Sequence, residues 1–190
     1  AYTVRVAGRA AHAGVEPEKG ASAITELAHQ ILAVNALADP AQGTTLNVGI
    51  VTGGSGRNVV PAQAVMEIDA RAWTAAEAAR LDAAIAGLAP ATPGVQLSAA
   101  GGFGRPPMER TPASIALFER ARAVGAGLGL TIAEGSTGGG SDGNFTAAIG
   151  VPTLDGLGSP GAGAHASHEQ ISVPGAMERT ALLAALLAEL

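Results

Sequence analysis

With 190 residues, 47% of them hydrophobic, the chain has material for one large core or two small ones. Aromatics are only 3%, so that core must be built from Ala, Val, Leu and Ile. A net charge of −5, with no run of Lys or Arg, excludes the basic patch that nucleic acid or an anionic membrane would want. The lack of cysteine excludes disulfides, thiolate nucleophiles and Cys-ligated zinc, leaving His and carboxylates as the metal donors. No uninterrupted apolar stretch approaches a membrane span. The opening AYTVRVAG has the pattern of a strand and not of a signal peptide, so the compartment is left open.

In chain order, Tyr2, Val4 and Val6 alternate with Thr3 and Arg5, as in a half-buried strand. A helix follows with Ile24, Leu27, Ala28, Ile31 and Leu32 on its apolar face, stopped at Asp39-Pro40. Leu46, Val48 and Ile50 predict a second strand. After the glycine-rich loop 53–56, a third carries Met66, Ile68 and Ala70 on one side and Glu67, Asp69 and Arg71 on the other. Thr74 and Glu77 form a T-x-x-E capping box ahead of a helix with Ala78, Leu81, Ile85 and Leu88 in line. Val95, Leu97 and Ala99 supply a fourth strand. The order β-α-β-β-α-β is that of the ferredoxin-like split unit. Its two helices cover one face of the sheet and leave the other open.

Gly101 to Pro107 is the linker candidate, with one domain expected over 1–103 and a second over 108–190. In the second, Thr111-Pro112 starts a helix striped by Leu117, Ala121, Val124 and Leu128. Short strands are expected near 130–134 and from Val151 to Leu154, with a glycine loop and a brief helix between them. Pro174 opens a last helix whose Leu183, Leu186, Leu187 and Leu190 are expected to be buried. Two short strands cannot close a parallel sheet, which is buried on both faces. Partner strands from upstream of residue 1 are therefore expected.

Four histidines are present. His165 lies in a glycine-rich loop after the expected strand at 151–154, where open α/β sheets place their sites. His168 is close by, and either imidazole could also be a plain surface group. His12 lies just past the first strand among small residues, where it is either solvated or functional; His29 is on the polar side of its helix. Asn58, at the end of the glycine turn, either caps that turn or binds a carboxylate. Arg71 either pairs with Glu67 or Asp69 or receives a carboxylate in bidentate fashion. Gly138, Gly140 and Gly143 also fit a dinucleotide G-x-G-x-x-G, although Asp142 would set its charge where a pyrophosphate belongs.

Five segments together resemble the M20 metallopeptidase family, its glutamate carboxypeptidase branch in particular. They are Gly8-Arg9-Ala10-Ala11-His12-Ala13-Gly14, Gly56-Arg57-Asn58-Val59-Val60-Pro61, Asp69-Ala70-Arg71, Thr137-Gly138-Gly139-Gly140-Ser141-Asp142, and Gly163-Ala164-His165-Ala166-Ser167-His168-Glu169. The resemblance implies an α/β fold: a ferredoxin-like dimerisation lid, followed by the C-terminal half of a zinc-peptidase catalytic domain. It implies two zinc ions, with His165 as a metal ligand. His12 would reach across a homodimer to steady the oxyanion of the partner's reaction. Asn58 and Arg71 would take the substrate carboxylate, and Gly138, Gly139 and Gly140 would line the cleft.

The implied substrate is a peptide or N-acyl amino acid with a free carboxylate, and no nucleic-acid or membrane partner is expected. The family's His-x-Asp pair, bridging aspartate and Glu-Glu pair have no counterpart here. The chain alone is therefore expected to be inactive, within a parent enzyme that hydrolyses by metal-activated water. A non-catalytic dimerisation or carboxylate-binding module of the same fold is the alternative.

Overall fold

Tyr2, Val4 and Val6 form the inward side of β1 (Tyr2–Ala7) in the computed structural model, which describes residues 1–189. The chain divides into two compact units, Ala1–Pro107 and Met108–Leu190. In the first, β1 is followed by α1 (Ala23–Asn35), β2 (Thr45–Gly53), β3 (Gln63–Arg71), α2 (Ala75–Ala86) and β4 (Gln96–Gly101). The sheet order is β2-β3-β1-β4 with every neighbouring pair antiparallel. This is the ferredoxin-like arrangement, with β3 inserted between the parallel strands β1 and β2. Val4, Val6, Met66 and Ile68 from the strands meet Leu27, Val34, Leu81 and Ile85 from the helices, all buried.

Local capping sets where the helices start. The Ser22 hydroxyl accepts from Thr25 N at 3.1 Å and the Thr74 hydroxyl from Glu77 N at 3.2 Å. The expected capping box at Thr74 is only half made. The Glu77 carboxylate is taken instead by the Thr44 hydroxyl at 2.7 Å and by Arg80 at 2.8 Å, a stronger, charged partner.

Two expected faces are corrected. On α1 the buried stripe is Ala23, Glu26, Leu27, Gln30 and Val34, whereas Ile24 is 43% exposed and Leu32 70%. Apolar residues occur on both sides of this helix, and the sheet covers only one. On β2, Leu46 and Val48 pair with Ala70 and Ile68 on the core side, but Ile50 pairs with Glu67 on the open face. A bulge at Gly49 adds a residue and reverses the alternation beyond it.

The second unit contains α3 (Pro112–Gly127), α4 (Gly143–Ala148), β5 (Gly161–Ala162), β6 (Gln170–Ile171) and α5 (Val173–Glu189). Thr111 and Ser114 exchange side-chain and backbone bonds of 3.1 and 2.9 Å, a full capping box with Pro112 in the first turn. α3 packs on α5 through Ala121, Val124, Leu182 and Leu186. No strand forms at 130–134 or 151–154, because no partner strand among the described residues offers either segment a ladder. Leu154 is only half-buried and Val151 is exposed. α5 is buried through Leu182 and Leu186, while Leu183 and Leu187 face outward because α3 covers a single narrow face; Leu190 lies outside the described residues. Among the described residues no helix is long and apolar enough to cross a membrane.

Candidate active site

β1 and β3 are paired, so the loops that leave β1 and enter β3 emerge at the same end of the sheet. Backbone bonds then hold those loops together. Gly8 N donates to Ala62 O at 2.8 Å, Val60 N to Ala11 O at 2.9 Å, and Ala13 N to Asn58 O at 2.9 Å. His12 and Val59 thereby face each other as a bridge, and His12 and Asn58 come to lie on adjoining backbone segments. Gly8 lets the chain leaving β1 pass close to a third segment, since a Cβ there would stand 2.1 Å from Ala21 O. The imidazole of His12 is exposed, and its Nδ1 accepts from Gly14 N at 3.2 Å.

Arg71 is elsewhere. It ends β3, paired with Thr45, while Gln63 at the other end of that nine-residue strand adjoins the His12 loops. The strand separates the two ends by roughly 27 Å. Arg71 Nε donates to Asp69 Oδ2 at 2.7 Å on the open face, both side chains being about half exposed. One copy of the unit therefore brings His12 to Asn58 but does not bring Asn58 to Arg71.

In the second unit, the glycine loop is shaped by its own hydroxyls and amide. Gly139 N donates to the Thr137 hydroxyl at 3.2 Å, Ser141 N to Asn144 Oδ1 at 2.8 Å, and Gly143 N to the Ser141 hydroxyl at 3.1 Å. Gly138, Gly139 and Gly140 are exposed. Asn144 is a residue that sequence reasoning missed, although its place just after Ser141-Asp142 suits a side chain that caps the turn. The dinucleotide reading loses its context here: no strand leads into the loop, and α4 has only six residues.

His165 sits in a turn closed by Ala166 N donating to Gly163 O at 2.8 Å, between the paired strands β5 and β6. Its φ of 65° makes it the one non-glycine residue with positive φ among the described residues. The ring of His168 lies against Gly163, whose Cβ would stand 2.8 Å from His168 Cδ2, so that imidazole packs on the turn. Among the described residues no three His, Asp or Glu side chains gather in a way that could hold a metal.

Residues 1–93 match the family model of the M20 peptidase dimerisation domain. This segment is an M20 dimerisation domain. Similarity to known proteins extends along the chain. Carboxypeptidase G2 from Pseudomonas is 30% identical over 190 residues, covering 97% of this chain and 45% of that protein. One of the subunits of the Escherichia coli p-aminobenzoyl-glutamate hydrolase is 42% identical over 71 residues, 37% of this chain and 16% of that polypeptide. Among solved structures, aminopeptidase PepT from Bacillus cereus superposes with a TM-score of 0.74 at 26% identity, over 99% of this chain and 50% of that one. The chain thus spans half or less of the length of these M20 relatives.

Proposed function

We propose that the chain serves an M20-type hydrolase that cleaves the amide beside a free carboxylate, in a peptide or N-acyl amino acid, with glutamate-like residues as the released group. The observation that carries this reading is the pairing of segments 11–13 and 58–60, which holds the backbones that bear His12 and Asn58 side by side at the surface. The matches to a p-aminobenzoyl-glutamate hydrolase and a carboxypeptidase support it.

The residues divide the work by their chemistry. Arg71 offers a planar fork for a carboxylate, in exchange with Asp69. Asn58 donates from its amide to the same ligand, and His12 donates to the oxyanion as it develops, an interaction worth a few kcal/mol. Gly138, Gly139 and Gly140, exposed in the second unit, are proposed as its contribution to substrate binding. Because β3 holds Asn58 and Arg71 far apart, one substrate meets both only when two copies contribute. The domain family is one of dimerisation, and two features suit a homodimer: β2 is an unpaired sheet edge, and Ile24 and Leu32 are exposed along α1.

M20 peptidases are in general metal-dependent, and zinc is the proposed ion. A catalytic zinc takes three protein donors, and no such trio gathers among the described residues. These residues do not by themselves fit the ion. His165 is proposed as one donor to a site completed from outside residues 1–189, and the 190-residue chain alone is expected to hydrolyse nothing. When bound, the metal would activate water.

The test uses subunit mixing in the intact enzyme. His12→Ala and Arg71→Ala are each expected to lose about 100-fold or more in turnover of an N-acyl glutamate. Mixing the two inactive variants, with unfolding and refolding to exchange subunits, restores activity if His12 and Arg71 act from different copies. Mixtures as inactive as either parent overturn the shared-site reading.

A further inference from the structure

We propose that Gly14 is a positioning residue whose backbone amide fixes His12 as its Nε2–H tautomer, so that the loop presents a hydrogen-bond donor and not a base. A neutral imidazole has one N–H and one bare nitrogen, and either can carry the hydrogen. A peptide N–H can only donate. Gly14 N lies 3.2 Å from Nδ1 of His12, so Nδ1 is the acceptor and the hydrogen resides on Nε2 of an exposed ring.

The backbone around the ring is held from two further sides. His12 O accepts from Val15 N at 3.3 Å and Glu16 N at 3.1 Å, which closes the turn that aims Gly14 N at the ring. The bridge to Val59 fixes the start of the same turn. While the Gly14 bond lasts, Nε2 has no lone pair in the ring plane with which to ligate a metal or take a proton from water. The imidazole is specialised as a donor. This deepens the reading of His12 as an oxyanion donor and rests on it for its catalytic meaning, though not for its geometry.

Proline at position 14 removes the N–H, whereas alanine keeps it. The alanine Cβ would meet only the His12 ring, at 3.8 and 3.9 Å, which is ordinary contact. The experiment is a two-bond proton–nitrogen correlation spectrum of the nitrogen-15-labelled 190-residue chain, at a pH where imidazoles are neutral. His12 is assigned through its loss in His12→Gln. The expected result is a predominant Nε2–H pattern in the parent and in Gly14→Ala. In Gly14→Pro the ratio of Nε2–H to Nδ1–H falls about fivefold, the effect of one hydrogen bond of ordinary strength.

A mixed or Nδ1–H pattern in the parent overturns the proposal, as does a folded Gly14→Pro with the parent's ratio. Should the proline variant fail to fold, the urea-unfolded parent serves as the reference, and a His12 tautomer ratio in the folded parent no higher than in the unfolded chain overturns the proposal. The spectrum needs neither substrate nor metal. A wrong tautomer therefore leaves the subunit-mixing test untouched, and failed mixing leaves the tautomer standing.

Discussion

The two units solve the same packing problem with unequal success. The first closes four strands under two helices, and Val4, Leu27, Met66, Ile68 and Leu81 are almost fully buried. The second lays α3 on α5 and fully buries little beyond Ala121, Val124, Leu182 and Leu186. Ile149, Ile171, Met177 and Leu187 there are each at least 65% exposed. A sheet with one covered face can bury alternate residues of every strand, whereas two crossing helices bury only the strip where they touch. The difference bears on function, because the His12 loops hang on the well-packed unit and the His165 turn on the other.

Unequal cores imply unequal resistance to opening. Native-state hydrogen exchange on the chain should show the amides of β1 and β3 exchanging only through global unfolding of their unit. Those of α3 and α5 should exchange through a cheaper, separate opening. Leu81→Ala, which empties a fully buried site, should cost about 3 kcal/mol in the first transition and leave the second unmoved. Equal protection in α5 and β3 would break the comparison.

A buried charge sharpens it. Glu26 on α1 is fully buried, and its carboxylate accepts from Gln30 Nε2 at 2.5 Å, Thr92 N at 2.6 Å and Ala91 N at 3.1 Å. It ties α1 to the segment between α2 and β4. Burial pushes its pKa up, but the hydrogen bonds from Gln30 and from residues 91 and 92 prevail and hold it below the ordinary carboxylate value. A lowered folded pKa means that the contribution is complete above the unfolded value of about 4.3 and is lost as pH falls through the folded one. Glu26→Gln should therefore cost about 2 kcal/mol at neutral pH. The gap to the parent should shrink in urea titrations carried out at progressively lower pH. A gap that stays constant with pH would remove the carboxylate from the account.

How much of this was legible depended on whether the cause was local. The period of two in β1 and β3 and the line Ala78, Leu81 and Ile85 on α2 translated directly into burial. Ile50 did not, because the bulge that turns it outward depends on β3 as well as on Gly49. The burial of Glu26 and Gln30 was not legible, since their partners at 89–92 are remote in sequence. The types of His12, Asn58 and Arg71 were visible. Their placement was not, because a backbone bridge between His12 and Val59 brings the first two onto adjoining segments and the length of β3 separates the third. Leu183 and Leu187 continued an apolar pattern that α3 is too narrow to cover.

The positive φ at His165 was invisible for a related reason: the third position of such a turn ordinarily announces itself with glycine or asparagine. An L-residue held there costs about 1–2 kcal/mol. Glycine would relieve that cost but would bring back about 0.5–1 kcal/mol of chain entropy on unfolding. His165→Gly should accordingly stabilise the second unit by about 0.5 kcal/mol, while His165→Ala, still strained, gains nothing. Thermal melts of the two variants should differ in that direction, and both should lose any metal binding that depends on this imidazole. Equal melting temperatures for the glycine and alanine variants would mean that the turn stores no strain at residue 165. Its unusual backbone would then be no sign that histidine is kept there for its ring.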